Sequence, residues 1–205
     1  MRKVLLLVLV ASLAGCVSRV EKVDSFQDEN FDGEITNVLL LMPSLFPNAS
    51  EYGRHQLEAQ LVRRGITVDT RDDYFRGSER MTKEALLEVV FETEIDGVLL
   101  VDLVGQTMDS RGRFSVLGAR GSMRDFETEV SFLLSQGGRV PPVYRETQTE
   151  VYLRVRLFPE ETQRAAWDII LRFSNPGSAF DLIDRASPRI AREVAESGIV
   201  RTRSP

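Results

Sequence analysis

Two uninterrupted apolar runs constrain this chain more than any other feature of its 205 residues. Val38-Leu39-Leu40-Leu41-Met42 is closed by Pro43, and Val98-Leu99-Leu100-Val101 continues through Asp102 to Leu103 and Val104. A strand with one wet face alternates in polarity, so a run that is apolar at every position fits a strand covered on both faces. Helical spacing lies between the two runs. From Asn48 to Arg64, Tyr52, Leu57, Leu61 and Val62 fall on one stripe, Asn48 or Ser50 is placed to cap, and Gly65 stops the helix. Ile66 to Thr70 reads as a strand, and Thr82 caps a second helix to Glu92 with Leu86, Val89 and Val90 inward. The order is β-α-β-α-β.

After residue 104 the period changes to two. Phe126, Thr128, Val130, Phe132 and Leu134 alternate with polar neighbours; so do Val151, Leu153, Val155 and Leu157, and then Trp167, Ile169, Leu171 and Phe173. The polar stretch Pro159 to Arg164 joins the last two as an antiparallel hairpin. A helix from Ser178 to Ser197 closes the chain, with Ser187-Pro188 predicting either a kink or a restart. The expected fold class is therefore α/β (α+β): a mixed sheet, β-α-β-α-β, followed by antiparallel strands and a C-terminal helix.

The first residues are of another kind. Arg2-Lys3 precedes the apolar segment Val4 to Ala11 and a small-residue region, the pattern of a secretory signal and too short to span a bilayer. Leu13-Ala14-Gly15-Cys16 resembles the lipobox of bacterial lipoproteins. The resemblance implies diacylglyceryl and palmitate on Cys16 and signal cleavage between Gly15 and Cys16. Cys16 is the chain's single cysteine, so no disulfide and no cysteine-based metal site are expected, and lipidation accounts for what would otherwise be an odd thiol in an oxidising compartment. Val17 stands where inner-membrane retention typically shows Asp, so the lipoprotein sorting rule implies the periplasmic face of an outer membrane.

Three segments follow: 1–15 as signal peptide, 16–36 as lipidated N-terminus and acidic tether, and 37–205 as one periplasmic domain. The tether reading rests on the excess of Glu21, Asp24, Asp28, Glu29, Asp32 and Glu34 over Arg19 and Lys22, with few apolar residues to pack. A flexible coil of that length would hold the domain about 25 Å from its anchor. The net charge is −5, which excludes a general nucleic-acid footprint.

Val38 to Pro43, Leu57 to Gly65, Ile95 to Leu100, and Val155 to Trp167 together resemble the periplasmic α/β domain shared by lipoprotein activators of penicillin-binding proteins, the curli secretion lipoprotein and the N-terminal domain of the Tol-system propeller protein. The matching positions are core and turn positions, such as Trp167, Gly65 and Gly97. The glycine usual in that family's hairpin turn is replaced by Thr162-Gln163-Arg164. A fold likeness alone assigns no activity.

Candidate chemistry is sparse. His55 is the only histidine, mid-helix, and reads as a surface or partly buried side chain. Glu92 with Glu94 and Asp72 with Asp73 read as a solvated face or turn. Asp102, flanked by apolar residues, is the carboxylate to inspect, with a strand-end hydrogen bond to backbone as its expected role. Arg111, Arg113, Arg120 and Arg124 form a basic, glycine-containing stretch placed to contact an anion or partner, without P-loop or dinucleotide spacing. No catalytic set, metal site or cofactor is expected. The expected function is a non-enzymatic adaptor, held to the membrane by Cys16 and docking an envelope protein or peptidoglycan. The alternative is a subunit of an oligomeric export channel of the curli-secretion type, with hairpins drawn from the alternating stretches between Leu103 and Leu157.

Overall fold

The structure, a computed structural model, describes residues 19–42, 49–75, 82–107, 150–160 and 164–202. A six-stranded sheet carries the molecule. Its strands are β1 (Val20–Gln27), β2 (Asn37–Leu41), β3 (Thr67–Thr70), β4 (Gly97–Thr107), β5 (Glu150–Pro159) and β6 (Trp167–Ser174). The helices are α1 (Ser50–Val62), the single turn α2 (Arg71–Tyr74), α3 (Lys83–Glu92) and α4 (Ala179–Glu196). Strand order is β1-β6-β5-β4-β2-β3. Strand β2 runs parallel to β3 and β4, while β4-β5, β5-β6 and β6-β1 are antiparallel. The mixed α/β architecture expected from the sequence is the one observed.

The two apolar runs become β2 and β4, neighbours in the middle of the sheet with both faces covered. On one face Val38, Leu40, Leu99, Val101 and the inward residues of β5 and β6 pack with Leu57 and Leu61 of α1 and Leu182, Ile190 and Val194 of α4. On the other, Leu39, Leu41, Val98, Leu100 and Phe158 pack with Leu86 and Val90 of α3. Each such side chain contributes about 1.5–3 kcal/mol of burial, so the central strands need no alternation.

Ile95-Asp96-Gly97 is the clasp at the start of β4. The Asp96 carboxylate accepts from the Thr36 amide at 2.8 Å, the Thr36 hydroxyl at 2.6 Å and the Asn37 amide at 2.8 Å, which fixes where β2 begins. At Gly97 a Cβ would lie 2.8 Å from Ile35 Cγ2, so the close approach of Ile35 requires glycine there.

Several expectations are corrected. Residues 20–27, read as part of a flexible tether, form β1, the outermost strand beside β6. The charges suggesting a tether pair off in the fold: Glu21 with Arg172, and Lys22 with Glu193 at 2.9 Å. Helix α1 starts from Ala49 with no side-chain cap, so Ser50 does not cap it; Asn48 lies outside the described residues. Val62 is exposed, because it sits in the last turn, on the side of α1 away from Leu61. Thr82 and Ser178 do cap, accepting from the amides of Ala85 and Asp181. Helix α4 neither stops nor restarts at Pro188. Ser187 Oγ donates to the Ile183 carbonyl at 2.9 Å, and the helix runs through as one span. The alternating stretch 126–134 lies outside the described residues.

Candidate functional site

One end of the sheet gathers the described residues nearest in sequence to Cys16. Arg19 is the residue before β1 and only three residues after Cys16. Its carbonyl accepts from the Ser174 amide at 3.1 Å and from the Arg185 guanidinium at 3.4 Å. Arg185 also donates to the Ser174 carbonyl at 3.2 Å, so the start of β1, the end of β6 and the first turns of α4 are tied together. In the same end row, Ser174 pairs with Glu150 and Glu150 with Thr107. Beside them, Phe180 of α4 is 48% exposed and meets Tyr52 of α1 edge to face, with ring centroids 5.2 Å apart. The Tyr52 hydroxyl donates to Asp184 Oδ1 at 2.5 Å, and this bond to a carboxylate raises the Tyr52 pKa.

A lattice of opposite charges occupies part of the sheet face on the α3 side. Asp102 lies directly across from Arg154, and Arg156 from Asp168, yet the ion pairs run diagonally. Arg156 Nη2 is 2.6 Å from Asp102 Oδ2, and Arg154 grips both Asp168 oxygens. The four side chains are only 5% to 17% exposed. The lattice continues outward. Arg172 bonds Glu21 and approaches Glu150 at 3.6 Å, and this hydrogen bond holds Glu21 below its ordinary pKa while raising that of Arg172. Tyr152 donates to Glu150 at 2.8 Å; its pKa is raised by burial first and by this bond second. Asp102 thus partners a guanidinium across the sheet, and the backbone partner expected from its place in an apolar strand gives way to a residue of β5.

A groove of about 280 Å³ opens at the opposite end, lined by Lys22, Ser25, Phe26, Gln27, Trp167, Glu193, Glu196 and Ser197. Its buried carboxylate, Glu193, sits between Lys22 at 2.9 Å and Arg189 at 2.5 Å. Gln27 Nε2 donates to the Ser197 carbonyl at 3.3 Å. The polar groups of the groove therefore serve mainly to hold β1 against α4. The sequence does not reveal this groove, because its walls come from segments about 170 residues apart; of its lining, Lys22 reads there as a tether charge and Trp167 as a core position.

Of the other sequence candidates, His55 is a surface residue, its side chain 57% exposed between Glu51 and Glu58. Asp72 pairs with Arg54 at 2.6 Å, and Asp73 accepts from the Thr70 amide and hydroxyl, so this carboxylate pair is structural. Glu92 and Glu94 are exposed. Gly15, Cys16, Arg111, Arg113, Arg120 and Arg124 lie outside the described residues. No group of three or more metal-ligating side chains converges among the described residues, and no helix among them is long and apolar enough to cross a membrane.

No family model and no curated protein matches the chain. Among solved structures it is similar to the PelC dodecamer from Paraburkholderia phytofirmans, at a TM-score of 0.43 and 10% identity, covering 91% of this chain and 100% of that one. A point variant of that dodecamer from the same organism gives 0.43 and 9% identity, covering 90% of this chain and 100% of that one. Neither likeness transfers a residue role.

Proposed function

We propose that this chain is a bacterial lipoprotein, anchored through lipid on Cys16 at the periplasmic face of the outer membrane, and acting as a non-enzymatic binding module for an envelope protein or peptidoglycan. The observation that carries the reading is the junction between lipobox and fold: the sheet begins at Val20, four residues after Cys16. The anchor is thus built onto the edge of the domain. The described charges support the non-enzymatic part, because Asp102, Arg154, Arg156 and Asp168 bind one another, as do Lys22, Arg189 and Glu193.

The test uses the full chain in a bacterial host with labelled palmitate. Labelling of the membrane fraction, lost in Cys16→Ser together with membrane association, is the expected result, with the label banding at outer-membrane density. A photocrosslinking residue in place of Phe26 should trap one discrete heavier species in cells, or peptidoglycan should co-sediment the protein. An unlabelled soluble protein with intact Cys16 would overturn the anchor. Hydrolysis of peptidoglycan, ester or phosphate that disappears with a single polar substitution would overturn the non-enzymatic reading.

A second reading, an oligomeric export-channel subunit, draws on β1. It is the outermost strand of the described sheet and carries exposed Val23 and Phe26, a surface on which a second strand can pair. The mass of the detergent-purified protein decides it: a monomer removes the channel.

A further inference from the structure

Resting on the lipid-anchor reading, we infer that the end of the sheet carrying Arg19, Tyr52 and Phe180 lies on the bilayer that holds the anchor, with Phe180 at the lipid interface. The length of chain outside the fold sets the geometry. Cys16 and Arg19 are three residues apart, and an extended chain covers at most about 3.3–3.6 Å per residue, or roughly 11 Å in all. The lipidated cysteine lies at the surface by virtue of its acyl chains, so Arg19 lies within a headgroup layer of it.

Fixed points then orient the rest. Arg19 is bonded to Ser174 and Arg185, which brings the 175–178 loop and the first turn of α4 to the same level. Phe180 is on that first turn, half exposed, with Tyr52 packed against its edge. An aromatic ring beside a hydroxyl-bearing one, partly apolar and partly wet, suits the membrane-water interface. The Arg19 side chain, 3.2 Å from Glu21 Oε1, is nonetheless 74% exposed at the same end, on a stem long enough to reach phosphates. Glu51 and Asp184 are exposed at this end as well, so it is no basic patch, and contact depends on the aromatic pair rather than on anionic lipid. Strand β1 then leads away from the membrane for eight residues, about 25 Å. The groove around Phe26, Gln27 and Ser197 faces away from the bilayer.

The test reads depth on the full lipidated protein reconstituted into uncharged phosphatidylcholine vesicles. With the Cys16 thiol blocked by lipid, a cysteine introduced at Gly177 or at Gln27 takes a single fluorophore, and lipids carrying a nitroxide near the headgroup quench it by proximity. Quenching at 177 at least twofold greater than at 27 is expected, and Phe180→Asp should lower it at 177 while the vesicles still float the protein. An unchanged far-ultraviolet dichroism spectrum confirms that each variant is folded. Equal quenching at the two positions, or more at 27, overturns the orientation. Quenching at 177 that is indifferent to Phe180→Asp overturns the role of Phe180. Both failures leave the anchor standing, since loss of flotation by the unmutated protein is the separate result that would remove the anchor itself.

Discussion

Asp102 and Arg156 show what a buried charge does in this sheet. Arg156 has a side chain only 5% exposed, sits 2.6 Å from Asp102 and lies 5.6 Å over the Phe158 ring. A guanidinium that deep is tolerated because a carboxylate meets it; removing one partner deprives the other, still desolvated, of this ion pair, at a cost of about 3 kcal/mol, whereas replacing both with apolar groups of similar size is often neutral. Asp102→Leu alone should therefore lower the unfolding free energy by about 3 kcal/mol, with Asp102→Leu/Arg156→Met lying closer to wild type. Urea unfolding of the four corners of the cycle checks this; a double variant no closer to wild type than Asp102→Leu would refute it. Tyr74 gives a pH-dependent counterpart. Burial first, and its 2.6 Å bond to Asp69 second, push its phenol from the ordinary 10.0 up to about 12. Between those values the unfolded chain has released the proton and the folded chain has kept it. Stability contributed by neutral Tyr74 is therefore complete below about pH 10 and falls as pH rises through about 12. Tyr74→Phe has no such titration, so wild type should lose stability faster than the variant on alkaline titration followed by urea unfolding. Parallel losses in the two proteins would exclude Tyr74 as the source.

At the scale of elements, β1 is the strand that most changes how the chain is understood. An edge strand forms ladder bonds on one side only, so about half the amides of 20–27 should be slow to exchange with deuterium, in alternation, while a tether would exchange throughout at the unprotected rate. Hydrogen exchange on the full chain separates the two. Strands β2 and β4 were legible in the sequence because burial on both faces keeps Val38 to Leu41 and Val98 to Val101 apolar at every position, and β5 and β6 because one face is core and the other carries Tyr152, Arg154, Arg172 and Asp168. In β1 the wet side dominates. Val20-Glu21-Lys22-Val23-Asp24-Ser25 contains no apolar run, a register shift falls between Lys22 and Asp24, and the groups that pair with its charges, Arg172 and Glu193, lie more than 150 residues away. A separation of the same order hid the groove, whose lining runs from Lys22 to Ser197. Asp102 was identified as unusual from its apolar neighbours, but its partner was out of reach, since the β4-β5 register is a tertiary fact.

For the molecule as a whole, the segment that follows β1 closes on the segment that follows α4. After β1, Ile35 forms a parallel bridge with Val200: the Ile35 amide donates to the Ile199 carbonyl at 2.9 Å, and the Arg201 amide to the Ile35 carbonyl at 2.7 Å. Ile35 is 1% exposed, Ile199 3% and Val200 4%, and the same Ile35 presses on Gly97 at the start of the central strand. The C-terminal tail is thus a structural member of the sheet's lower end, next to the Asp96 clasp that sets β2. Deleting 198–205 strips Ile199 and Val200 from the core, a loss of about 1.5–3 kcal/mol for each, along with the bridge that holds Ile35. Because Ile35, Val38, Leu99, Trp167 and Val200 belong to one buried cluster, and strands β2 and β4 carry the second cluster on the sheet's other face, the loss cannot stay local. Trp167, the chain's single tryptophan and 5% exposed, reports on that core from β6. The truncated chain should therefore show its tryptophan-emission and far-ultraviolet dichroism transitions still coincident, both shifted to lower urea by an amount equivalent to about 3–6 kcal/mol. A tryptophan transition left at the wild-type midpoint would mean that the bridge between Ile35 and Val200 contributes nothing to the stability of the core.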